Sequence, residues 1–345
     1  MGVLSCFAIL FLLPGCSTPD RASTRDKAAV APEPYVRIEN TDSNVVRLQI
    51  AFRKFLPAHH KGPAIWLAGV SHVGESNYYA MVQEQLDAQT LVLFEGVTGV
   101  ASGSATDDQT TAPAAPGVGA ETATAVRGGE SSLQTSMAAA LGLVFQLEAV
   151  DYNRRNFRHC DLSVAQIREL IAQQPPVSGE AGAGESFEGL LELMQGSSWF
   201  DPLVRVALRL VGANPKLQGL ARLALIDTLD EIQGDPSRLD GLPPEMKQLL
   251  DVLVQKRNDK VITDLKTELK KLGRQDSIAV FYGTGHMPDL ERRLRAELHY
   301  RPAGQLWLTA FAVDLARTRI TASERAFVRD FLKSQLGTSS VQPRK

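Results

Sequence analysis

The sequence predicts an α/β fold: a mixed, largely parallel central sheet flanked by helices, with a helical insertion subdomain. Three observations predict it. From Ala64 to Gly96 an apolar run, a helix-spaced stretch and a second apolar run follow one another. That order reads as strand, crossover helix and parallel strand. Ser277 to Tyr282, SIAVFY, is a further apolar run, and Gly283-Thr284-Gly285-His286 closes it. From Phe187 to Leu272 the spacing is helical throughout.

Taken in order, the chain starts with an apolar run, Val3 to Leu13, too short to span a membrane as a helix and suited to a signal h-region. Leu13-Pro14-Gly15-Cys16 resembles a bacterial lipobox. The resemblance implies a signal peptide over 1–16, cleavage before Cys16 and acylation of its thiol. Ser17 after the cysteine favours the outer membrane by the usual sorting rule. The expected protein is therefore anchored to membrane lipid in the bacterial cell envelope, facing the periplasm. Residues 17–44 read as a flexible tether, rich at first in Ser, Thr, Pro, Ala and charge.

The main α/β domain covers 45–336. Val45 to Phe55 has mixed spacing and reads as strand or helix. His59-His60 sits in a Pro- and Gly-flanked loop. Ile65 to Val70 is the first strand of the strand-helix-strand unit. Asn77 to Ala88 is its helix, with Tyr79, Met81, Val82 and Leu86 able to share a face. Leu91 to Phe94 is the second strand, closed by Glu95 and Gly96.

Residues 98–130 are dominated by Ala, Gly, Thr and Ser and read as a disordered insertion, a solvated spacer or a lid. Helical spacing resumes from Ser132 to Leu147. Glu148 to Tyr152 reads as a short strand, and Asp161-Leu162-Ser163 caps the helix that follows; His159 and Asp161 can alternatively join the site from the strand-end loop. The helical subdomain spans 186–272: Phe187 to Met194, Asp201 to Val211, Leu217 to Ile232, and Pro244 to Leu272. Leu290 to Leu298 is a helix, Gln305 to Val313 a buried strand, Ser323 to Leu336 a closing helix, and 337–345 a frayed tail.

Composition is that of a globular protein with ample core: 345 residues, 44% hydrophobic and 22% charged. A net charge of −2 requires no basic face, so nucleic acid is not an expected partner. With Cys6 and Cys16 in the leader, Cys160 is the one cysteine of the mature domain, and no internal disulfide forms. No Walker-type phosphate loop and no Gly-x-Ser-x-Gly elbow occurs.

The chemistry gathers at strand ends. Gly-x-x-His occurs twice, at Gly69 to His72 and Gly283 to His286, each time between a predicted strand and a predicted helix. Glu95 ends a third strand. In parallel sheets the carboxyl edge is where ligands bind. The paired motifs and the Glu95 strand end resemble the TraB/GumN/TIKI superfamily. Asp151-Tyr152, His159-Cys160-Asp161-Leu162-Ser163 and Arg257-Asn258 fit its bacterial branch. The resemblance implies an α/β fold, and some animal members are metal-dependent proteases. It also implies that Arg257 and Asn258 face the site.

His72, Glu95 and His286 are the candidate ligands of a divalent metal, Mn²⁺, Co²⁺, Zn²⁺ or Fe²⁺. Imidazole nitrogens and a carboxylate suit these ions and leave positions open for water and substrate. Glu95, Arg257 and Asn258 are the candidate catalytic residues, with Arg257 set to bind a substrate carboxylate or oxyanion. Ser71 and Thr284 place hydroxyls beside the two histidines. The expected function is a metal-dependent hydrolase, with peptide or small-molecule substrates; peptide hydrolysis comes from the resemblance alone. The competing readings are an envelope lipoprotein that captures metal or haem without turnover, and a scaffold whose Gly-x-x-His turns only shape the fold.

Overall fold

The structure is a computed structural model and describes residues 32–59, 61–96, 133–174, 201–231 and 244–335, with Gly184, Phe187 and Glu188 besides. Cys16, His60, the 98–130 insertion, most of the 187–194 helix and the 337–345 tail lie outside the described residues.

β1 (Val36–Glu39) pairs antiparallel with β2 (Val45–Pro57), and β2 pairs antiparallel with β3 (Ala64–Val70). Next come the short β4 (Val73–Gly74), α1 (Ser76–Asp87) and β5 (Leu91–Phe94). Then follow α2 (Leu133–Ala140), β6 (Val144–Phe145), α3 (Gln146–Ala149), β7 (Phe157–His159) and α4 (Val164–Ala172). α5 (Asp201–Ala213), α6 (Pro215–Glu231) and α7 (Pro244–Leu250) lead to a π-helical turn, Asp251–Lys256, which runs into α8 (Arg257–Leu269). β8 (Ser277–Gly283) ends in a tight turn, Thr284–His286, before α9 (Met287–Glu297), β9 (Tyr300–Asp314), α10 (Leu315–Thr318) and α11 (Ala322–Gln335).

The main sheet has seven strands among the described residues, in the order β1-β2-β3-β8-β5-β7, with β9 paired along β2. β3, β8, β5 and β7 run parallel; β1, β2 and β9 are antiparallel. The α/β class expected from the sequence is therefore the observed one. β3 and β5 do not touch: β8, from the far end of the chain, lies between them. After Ser277 every residue of β8 is buried, as a central strand covered on both faces requires.

Side chains alternate between two cores. Phe52, Ala68, Val92 and Phe281 face one, with Tyr79, Val82 and Leu86 of α1 and Leu223 and Ile226 of α6. Ile65, Leu67, Leu93 and Val280 face the other, with Val261 and Leu265 of α8 and Leu290 and Leu294 of α9. The stretch between β7 and β8 is helical where it is described, and its helices pack on both sheet faces.

Several local expectations differ. Val45 to Phe55 is strand, because its alternation serves a sheet face. Met81 is half-exposed and Tyr78 takes its place on the buried face of α1. The helix from Ser132 stops at Ala140, where Gly142 at φ 61 takes a left-handed turn that a side chain would resist. Glu148 to Tyr152 is not a strand; Gln146–Ala149 is one helical turn, followed by irregular chain. β7 was not anticipated, being three residues with only one half-buried apolar side chain.

Candidate metal centre

Four parallel strands end at one edge, and each delivers a polar residue. His72 follows β3, Glu95 follows β5, Asp161 follows β7 and His286 follows β8. Glu95 is fixed at its strand end by its own amide, which donates to the Phe281 carbonyl at 3.0 Å. The loop bearing His72 is tied to α1: Tyr79 Oη donates to the Ser71 carbonyl at 2.8 Å, and Ser71 Oγ donates to the Val73 carbonyl. β4 pairs with β6, and the Gln146 amide donates to the His72 carbonyl at 2.9 Å. This small second sheet sets Gln146 beside His72.

The two histidines are held alike. His72 Nδ1 lies 3.0 Å from Gln146 Oε1, while Gln146 Nε2 donates to Tyr152 Oη at 2.8 Å. His286 Nδ1 lies 2.8 Å from Asn258 Oδ1, while Asn258 Nδ2 donates to Asp289 Oδ2 at 2.9 Å. The Asp289 carboxylate only accepts, so the Asn258 oxygen must receive the His286 Nδ1 proton. Arg257 Nη1, which only donates, stands 3.4 Å from His286 Nε2 and requires the same tautomer. Each ring thus meets a carboxamide through Nδ1, and the His286 Nε2 lone pair faces the Arg257 guanidinium. Orientation of a ring through its other nitrogen is the usual support of a metal-ligating histidine.

His286 Nε2 approaches Glu95, and His72 Nε2 approaches Gly283 beside it. His286 Nε2 is 3.8 Å from Glu95 Oε1. On the other side, a Cβ placed on Gly283 would lie 3.4 Å from Glu95 Oε2 and 3.6 Å from His72 Nε2. The missing side chain of Gly283 therefore leaves a gap between carboxylate and imidazole. Glu95 and His286 are buried, whereas His72 is exposed and opens the site to solvent.

Arg257 is the cation already present. Its Nε and Nη2 grip the Asp161 carboxylate at 2.9 and 2.5 Å, and Nη2 also reaches Glu95 Oε1 at 2.6 Å. The π-helical turn just before Arg257 widens the helix, a feature frequent at functional sites. Arg257 and Asn258 are both buried and both turned to the centre. Burial opposes the Arg257 charge, but Glu95 and Asp161 outweigh it and keep the guanidinium protonated. Burial would likewise raise Glu95, yet Arg257, with His286, His72 and the Gly283 amide, brings its carboxyl down to about 2. Burial lowers His286 to about 4, against the pull of Glu95.

The sequence-derived set His72, Glu95, His286, Arg257 and Asn258 thus meets in one place. Gln146, Tyr152 and Asp289 were not singled out as members of this network. Asp161 does not cap α4: Ser163 does, in a capping box with Gln166. His159 is exposed above Gly96, edge-on to Phe94, and Cys160 points into the second core. Ser71 bonds its own loop, and the Thr284 methyl packs towards Gly69. Asp151, His59 and His299 are exposed and lie outside the network.

Among the described residues no group of three or more His, Cys, Asp or Glu side chains is placed to hold a metal ion. Glu95 Oε1 is committed to Arg257 at 2.6 Å. The residue types, two imidazoles and an ionised carboxylate, are those that ligate divalent ions. No family model, curated protein or solved structure matches this chain.

The buried ionisable groups predict acid sensitivity of the metal-free protein. His286 titrates at about 4 when folded against 6.5 unfolded, so the unfolded chain binds more protons between these values. Stability then falls as pH drops through that window, by about 3 kcal/mol. Glu95, lowered from 4.5 to about 2, adds a loss in the same direction at lower pH. Urea melts from pH 7 to 4 on the wild type and His286→Gln measure this: the variant should lose much of the slope above pH 4.5.

Proposed function

We propose that this chain is a divalent-metal-dependent hydrolase of the cell envelope, of the TraB/GumN/TIKI type. One observation carries the reading: two histidines, far apart in sequence, each meet a carboxamide through Nδ1 at the strand-end edge that also carries Glu95. Two such arrangements are not needed merely to cap two helices, which favours ligation over the scaffold reading. His72, His286 and Glu95 would hold the ion, with Glu95 sharing or releasing its bond to Arg257. A bound divalent ion supplies acidification of water and polarisation of a carbonyl.

The chain's own residues supply the rest. Glu95 stays ionised at neutral pH and presents Oε2 to the gap. Asp161 holds the Arg257 guanidinium in a two-point fork, which leaves Nη1 with only long contacts, 3.3 Å to the Leu253 carbonyl and 3.4 Å to His286 Nε2. Nη1 is therefore the donor that can turn to a substrate carboxylate or developing oxyanion. Asn258 is a positioning residue acting through His286. Attachment to membrane lipid through acylated Cys16 is part of the proposal and rests on the lipobox resemblance; among the described residues no helix is long and apolar enough to cross a membrane.

The test is metal analysis of the purified protein with Mn²⁺, Co²⁺, Zn²⁺ and Fe²⁺, alongside His72→Ala and His286→Ala, thermal melts and a peptide-hydrolysis screen. Stoichiometric metal in the wild type, lost in both variants with little change in melting temperature, is the expected result. Wild-type protein that binds none of the four ions would sink the proposal. Metal binding with no hydrolysis would move the function to capture without turnover.

A further inference from the structure

We propose a second ligand site at the opposite end of the sheet, for a compact ring compound carrying at least two anionic groups, the chemistry of a sugar phosphate. It is independent of the metal reading. β3 is seven residues long, and the new site lies at its amino end while His72 follows its carboxyl end, so about 20 Å separates them.

The site arises from unequal element lengths. β2 and β9 run on past the end of α1 at Asp87, and the sheet face beyond the helix is left uncovered. A groove of about 640 Å³ lies there, within the range of small-molecule sites. Its walls carry four cations: Lys54 from β2, Lys61 from the β2–β3 loop, Arg274 from the loop before β8 and Arg301 from β9. Register puts Lys54 and Arg301 on one face. Lys54 pairs with Trp66 on β3, and Arg301 pairs with Leu56 on β2. Trp66 and Leu56 are half-buried and give the groove an apolar floor. The Lys54 ammonium lies 5.5 Å from the Trp66 ring centroid. Opposite Lys54 stands Gly304, where an added Cβ would meet nothing within 4 Å, so the space is open.

The charge here is only partly offset, with four cations against one carboxylate in the lining. Asp276 is the one carboxylate of the lining, and its oxygens already accept from the Gly273 amide at 2.7 Å and from Thr90 Oγ1. No carboxylate among the described residues lies within ion-pair distance of Lys54, Lys61, Arg274 or Arg301. Some surface cations elsewhere, such as Arg154, Arg168 and Lys266, have acidic partners, and others, such as Lys247 and Lys270, have none within ion-pair distance among the described residues; what sets the groove apart is that its four cations share one concave space. Four like charges around one concave space repel one another, and an anion with several charged groups relieves that repulsion. The planar guanidinium groups of two arginines favour anions that accept paired hydrogen bonds, such as phosphate, and the indole floor suits the less polar face of a ring.

The probes are glucose 1,6-bisphosphate in solution and vesicles of phosphatidylcholine with and without a phosphorylated-sugar lipid. Binding to the full chain is followed by calorimetry and by tryptophan fluorescence, with Trp66→Phe assigning the signal. Saturable binding of the bisphosphate that weakens with salt, and falls roughly tenfold in each of Lys54→Gln and Arg301→Gln, is the expected result. Lys247→Gln, on α7 outside the groove, should leave it unchanged. Binding confined to the vesicles with the sugar phosphate, and lost in the same two variants, would assign the ligand as a lipid headgroup. No saturable binding to any probe, or binding that Lys54→Gln and Arg301→Gln leave intact, would overturn the site.

Discussion

Arg257→Met should lower the stability of the metal-free protein by about 3–5 kcal/mol, because two buried carboxylates lose their only strong counter-charge. Asp161 is 1% exposed at its side chain and Glu95 9%, so water cannot replace the guanidinium. The loss corresponds to a fall in melting temperature on the order of 10 °C. Adding Glu95→Gln to the variant should recover part of it, since one of the orphaned charges is then gone. The two changes are in contact and will not add. Chemical denaturation of the single and double variants gives the coupling directly. A cost below about 1 kcal/mol for Arg257→Met would mean that the carboxylates find other partners, and the proposed role of Asp161 as anchor of the fork would fail.

Gly283→Ala should do the opposite: keep the fold and lose the metal. The backbone at Gly283, φ −52 and ψ 144, accepts alanine, and its amide can still donate to Glu95 Oε2. The new Cβ would sit at 3.4 and 3.6 Å from its two polar neighbours, which are ordinary contacts. Stability should therefore hold or rise by about 0.4–1 kcal/mol through the less flexible unfolded chain. The methyl group occupies the space between Glu95 and His72, so affinity for any of the four ions should drop by roughly tenfold or more. Competition titration with a chromogenic chelator measures it. Unchanged affinity would show that the ion, if bound at all, sits elsewhere.

The strand ends were legible in the sequence because each carries its own local signal. An apolar run followed by Gly-x-x-His names a strand, a turn and an imidazole within ten residues. The position of β8 between β3 and β5 was not legible, since pairing across about two hundred residues leaves no trace in local spacing. Gln146 was missed for a related reason. Its role depends on β4 and β6, strands of two residues each, too short for periodicity to reveal. Gly142 marked the helix stop before it and is the signal that was available. Asp161 was visible as a polar residue near a helix start. Ser163-x-x-Gln166 already met the needs of that cap, which freed Asp161 for another partner. Arg257-Asn258 stood out from the family resemblance; nothing in the spacing of a long helix says that two adjacent polar residues both turn inwards.

The place of β8 also sets an order of events during synthesis. His72 and Glu95 leave the ribosome long before Ser277, and until β8 arrives β3 and β5 each have an unpaired edge. The nascent chain thus carries an open slot at the middle of its sheet, and closing it requires contacts of high sequence separation, which form slowly. One of the three candidate ligands comes with the strand that fills the slot, since His286 lies three residues past its end. On the proposed metal reading an ion would load only after β8 is in place, and a chain cut short before β8 would lack His286 and be prone to pair its bare edges with other copies.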